Sequence, residues 1–113
     1  MPFKQGRKPS VIIDPEDHRN FRGALLASGY KPHTGPRVRR EDEIQAWVAP
    51  LPGGRQVHVQ EVRRRNGDIA VYAHTEPEGA GLAHAISAIT DRASFQGGSR
   101  ALKSDLRRRG WDV

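Results

Sequence analysis

The sequence contains no cysteine, which excludes a disulfide framework and any thiolate zinc site. No apolar run approaches the roughly 18 residues that a membrane-spanning helix needs, so no membrane partner is expected. The basic start, residues 1–10, leads into only three apolar residues, Val11–Ile13. That is too short for the apolar region of a secretory signal, and the expectation is a soluble, cytoplasmic protein. Apolar residues are scarce at 35% and aromatic ones at 6%. With 12 glycines and 8 prolines, this composition favours a modest core joined by many turns.

Acidic residues are the minority charge. Thirteen Asp and Glu face 19 Lys and Arg, a net charge of +6, with a pI near 10.5. Such an excess favours polyanionic partners through long-range attraction and counterion release. Only four of the 19 basic residues are lysine. Arginine forks match phosphate geometry and stack on bases, which points to nucleic acid, although a GC-rich genome would produce the same bias.

The chain reads as a flexible basic arm over residues 1–10, carrying Lys4, Arg7 and Lys8, followed by one domain over residues 11–113. A short strand is expected at Ser10-Val11-Ile12-Ile13. Asp14-Pro15 then opens a helix, with Asp as N-cap and Pro at the first helical position. Phe21, Ala24, Leu25 and Ser28 share one face, and Gly29 marks the stop. Residues 30–42 read as a loop with a short strand at 37–40.

Residues 43–50, 55–64 and 68–76 alternate as strands, a meander over 43–76. Arg65-Asn66-Gly67 fits a three-residue bulged hairpin, which sets His58 opposite His74 and Val59 opposite Ala73. This register gathers Val57, Val59, Ile69, Val71 and Ala73 on one face, whereas a two-residue turn would split them. A four-residue turn at 51–54 adds Ile44, Ala46 and Val48 to that face. Beyond the meander, Thr75-Glu76-Pro77-Glu78 fits a capping box ahead of Leu82, Ile86, Ile89 and Ala93 at helical spacing. Gln96-Gly97-Gly98 reads as a break. Ser99 then caps a last helix to Arg109, with Leu102 and Leu106 inward, Gly110 as the stop and Trp111 packing back. The expected class is α+β: a three- or four-stranded antiparallel sheet with two or three helices packed mainly on one face.

The opposite face of the sheet would then carry Gln45, Trp47, His58, Gln60, Val62, Ala70, Tyr72 and His74. Aromatic and amide side chains on a sheet suit stacking of unpaired bases, with Arg55, Arg63, Arg64 and Arg65 in the loops to hold phosphates. The same Trp47/Tyr72 face would equally suit a homodimer or another protein partner. His58 and His74 alone fall short of a metal's three or four ligands, and Glu61 and Glu76 are assigned to the other face. No cofactor is expected, and a two-histidine phosphodiesterase is the least favoured reading. His18, His33 and His84 are assigned no partners. Gly97-Gly98-Ser99-Arg100 at a helix start would offer an anion site. Arg100, Lys103 and Arg107 recur on one stripe that fits a phosphate backbone.

The order helix, three antiparallel strands, helix resembles the double-stranded-RNA-binding domain, with Gly35-Pro36 before the sheet and Gly98-Ser99-Arg100 before the last helix. The chain departs from that family in an extra helix after the sheet and in lacking its lysine-rich final-helix start, so the family is not assigned. The functional expectation is a small, non-catalytic nucleic-acid-binding accessory protein, with DNA and RNA not distinguished. The alternative is a protein-interaction module.

Overall fold

The structure is a computed structural model that describes residues 8–33, 43–78 and 92–113. Its elements are β1 (Val11–Ile13), a 3-10 turn (Pro15–Asp17), α1 (His18–Ala27), β2 (Lys31–Pro32), β3 (Glu43–Leu51), β4 (Arg55–Arg63), β5 (Ile69–Pro77) and α2 (Arg92–Arg108). The sheet runs β1-β5-β4-β3-β2 and is antiparallel throughout. The class is α+β. Among the described residues the strands number five, because the chain on either side of α1 pairs with both edges of the meander. β1 sets Val11 against Val71 and Ile13 against Ile69, and β2 sets Pro32 against Trp47. Residues 1–7 of the arm expected over 1–10, the strand at 37–40 and the helix through Leu82 and Ile89 lie outside the described residues.

The β4–β5 hairpin has the register its apolar pattern requires. His58 faces His74 and Val59 faces Ala73. Arg64 N–H donates to Asp68 O at 2.8 Å and Gly67 N–H to Arg64 O at 2.9 Å. Asn66 Oδ1 accepts from Asp68 N–H at 3.0 Å, fastening the turn from inside.

The β3–β4 turn departs from expectation. Leu51 pairs with Arg55, so the turn is three residues, with Gly53 and Gly54 both at positive φ (80° and 73°). A one-residue change of register turns every side chain of the strand to the other face. Trp47 and Ala49 therefore join Val57 and Val59 in the core, while Ala46 and Val48 lie with Gln60 and His58. Both alternating sets of β3 are apolar, so its pattern could not choose between them.

Both described α-helices cover the Val57/Val59/Val71 face. α1 contributes Phe21, Ala24 and Leu25, and α2 contributes Leu102 and Leu106. Trp111 N–H donates to Leu106 O at 3.0 Å, and its ring meets Phe21 edge-on at 5.9 Å. Fully burying one such side chain is worth roughly 1.5–3 kcal/mol.

α2 has no break at Gly97-Gly98, and β5 continues through Pro77, so Thr75 to Glu78 form no capping box. β1 covers the edge of β5 only at residues 69–71, and α2 lies against the remainder. Ser94 Oγ donates to Thr75 O at 2.5 Å and accepts Thr75 N–H at 3.2 Å, satisfying both edge groups. A Cβ at Gly98 would stand 2.3 Å from His74 Cα. Gly98, which would weaken a helix in isolation, is here what lets α2 meet a strand backbone.

Candidate functional site

The arginines of the sheet separate into two places. Arg55 and Arg63 end the same strand, about 26 Å apart at the usual rise per residue. Arg55 donates to Thr75 Oγ1 at 3.1 Å. Arg63, Arg64 and Arg65 stand exposed at the hairpin tip, and none makes a side-chain hydrogen bond or ion pair among the described residues. On α2, Arg100 is exposed and Lys103 half-buried. Arg107 of the same stripe is engaged, its Nε donating to Val113 O at 2.7 Å. Arg108 pairs with Asp105, and Arg109 donates to Ala27 O at 2.6 Å, tying α2 to the end of α1.

Several expected site features are corrected. Trp47 is only 4% exposed and lies on the helix-covered face, where Nε1–H donates to Glu61 Oε2 at 2.6 Å. It is neither a stacking platform nor a dimer anchor. The opposite face is not open either, because Ala46, His58, Val62 and Ala70 are buried on it, with Tyr72 and His74 half-buried. Gly97-Gly98-Ser99-Arg100 sits inside α2, so its amides belong to the helix and form no terminal anion site.

Glu76 is the most consequential correction. Strand alternation places it two residues from His74, hence on the same face, and β5 carries that alternation through residue 77. His74 Nε2 lies 3.0 Å from Glu76 Oε1 and 3.3 Å from His58 Nδ1. His58 Nδ1 lies 3.8 Å from the same Glu76 oxygen. Gln56, directly across the ladder, donates Nε2–H to Glu76 Oε2 at 2.5 Å. The imidazoles are packed by rings: His33 stands edge-on to His58 at 5.2 Å, and Phe95 of α2 edge-on to His74 at 6.4 Å. Burial alone raises the Glu76 pKa. Hydrogen bonds from His74 and Gln56, with the charge of His58 and His74, outweigh it and hold the carboxyl below its usual range.

A second polar cluster, centred on Glu61, was assigned no role from sequence. Its carboxylate is completely buried on the core face. It meets His18 Nε2 at 2.6 Å, Arg22 Nη2 at 3.2 Å and the Trp47 indole. The signal was present, since alternation already put Glu61 among valines, and a carboxylate in a core must be supplied with donors. His18 and Arg22 stand one turn apart on α1, beside Phe21 and Leu25. No described helix is long and apolar enough to cross a membrane. The chain matches no protein family, no curated protein and no solved structure.

Proposed function

We propose that the protein is a non-catalytic nucleic-acid-binding accessory protein that grips the phosphate backbone through the Arg63-Arg64-Arg65 hairpin tip. The observation that carries this reading is the tip itself: three consecutive exposed guanidiniums without side-chain partners among the described residues, on a turn fastened by Asn66 and Asp68. The fastened turn keeps the three arginines close together, and the net charge of +6 favours the encounter with phosphates. Arg100 and Lys103 supply a second basic surface. The mode is phosphate contact, because the withdrawal of Trp47 into the core removes the principal aromatic for base stacking. A homodimer through a Trp47/Tyr72 face loses its anchor for the same reason.

The test is fluorescence anisotropy with duplex and single-stranded DNA and RNA across a salt series. Replacing Arg63, Arg64 and Arg65 together by Gln should weaken binding to all sequences alike. On duplex DNA, if each arginine neutralises one phosphate, the slope of log affinity against log salt should fall by about 2.7. Unchanged affinity and slope in that triple variant would remove the hairpin from the interface.

A further inference from the structure

We propose that His58, His74 and Glu76 form a binding site for a divalent transition-metal ion of the zinc type, each giving one ligand atom. The three atoms, His58 Nδ1, His74 Nε2 and Glu76 Oε1, are separated by 3.3, 3.0 and 3.8 Å. Zinc bound tetrahedrally at its usual nitrogen and oxygen distances sets neighbouring ligand atoms about 3.4 Å apart. The point equidistant from this triangle's corners lies about 2.0 Å from each of them, a zinc–ligand bond length.

Proton sharing fits the cluster less well. A single ring nitrogen cannot donate to Glu76 and accept from His58 at once, so protons serve the three contacts only in part. A cation at the common point lies within bonding distance of all three ligand atoms. Two imidazoles and a carboxylate form a borderline donor set suited to zinc, cobalt or iron, in contrast to the all-oxygen shells of calcium and magnesium.

The surroundings hold the ligands in place. Gln56 engages Oε2 of Glu76 and leaves Oε1 toward the histidines, the kind of outer contact that orients a metal's carboxylate. All three ligands come from adjacent ladder positions on β4 and β5, which are rigid supports. Three donors among the described residues supply three of the four positions of a tetrahedral ion. The cluster lies five residues along β4 from Arg63, about 16 Å, so metal and phosphate would occupy different places.

The experiment uses the full chain, stripped with a chelator and titrated with Zn²⁺ or Co²⁺ in the absence of nucleic acid. One equivalent should bind, Co²⁺ should develop visible absorption, and Zn²⁺ should raise the unfolding temperature. His74→Asn and Glu76→Gln should each abolish the Co²⁺ absorption, and Gln56→Ala should weaken binding by about tenfold. His58 is buried and its replacement risks folding, so the decision rests on His74, Glu76 and Gln56, each variant checked by circular dichroism. A wild-type protein that takes up neither ion at micromolar concentration overturns the proposal. So does retention of the full equivalent in both His74→Asn and Glu76→Gln.

Discussion

Glu61 sits where the apolar pattern of β4 calls for an aliphatic side chain. Taking a carboxylate out of water costs several kcal/mol unless donors replace the solvent. Here the Trp47 N–H and His18 do so inside the fold. Arg22 adds charge from a position 37% exposed, where water screens part of its attraction. Glu61→Ala removes the acceptor of a buried indole N–H together with the partner of two basic groups. It should destabilise by on the order of 3 kcal/mol in chemical denaturation. Glu61→Gln keeps an acceptor for Trp47 and should cost less. A change below about 1 kcal/mol in the alanine variant would mean that the cluster contributes little to stability.

Tyr30 is 2% exposed and donates its hydroxyl to Asp105 Oδ2 at 2.8 Å, joining the end of α1 to α2. Burial, then the hydrogen bond to Asp105 and its negative charge, push the hydroxyl pKa well above the phenol range, against a smaller opposing effect of Arg108. The folded state therefore favours the protonated phenol more strongly than the unfolded state does. This contribution is fully present below pH about 10, the unfolded value, and is lost as pH rises beyond it. In a Tyr72→Phe background, where Tyr30 is the remaining tyrosine, tyrosinate absorbance should appear only together with alkaline unfolding. Ionisation of Tyr30 in a still-folded protein would contradict this.

At the scale of elements, α2 and β5 provide the sharpest contrast between neighbouring residues. Gly97 and Gly98 share the same helix, but a Cβ at Gly97 would meet Thr75 Cγ2 at an ordinary 3.4 Å. One at Gly98 would strike the His74 backbone, which cannot swing away as a side chain would. Gly97→Ala should stabilise by up to about 1 kcal/mol, the helix-propensity gain. Gly98→Ala should cost at least about 2 kcal/mol, because α2 must lift from β5 and Leu102 with it. Thermal melts of the two variants check this, and equal effects would refute the close approach. The two turns of the meander show why one register was legible and the other was not. Around Asn66-Gly67, only one turn length brings five apolar residues of β4 and β5 to one face. Around Gly53-Gly54, β3 offers Ala46 and Val48 on one side and Trp47, Ala49 and Leu51 on the other.

At the scale of the molecule, the sheet has two unlike faces. One is the aliphatic and aromatic core under both helices, and the other is the buried histidine face. The basic tip lies beyond both. The sequence by itself determined the α+β class, the β4–β5 register, the burial of Phe21, Leu25, Leu102 and Leu106, and the exposed arginine turn. These follow from local periodicity and turn chemistry, which act between residues near in the chain. Alternation along the strand expected over 68–76 also contained the placement of Glu76 beside His74, against its assignment to the other face. Only the tertiary structure decided that Trp47 turns inward to Glu61 and that Gly98 lies against His74. Those outcomes depend on which surfaces meet across the fold. A side chain's face in an all-apolar strand, or a glycine's worth in a helix, is set by the atoms opposite it, and these come from distant parts of the chain.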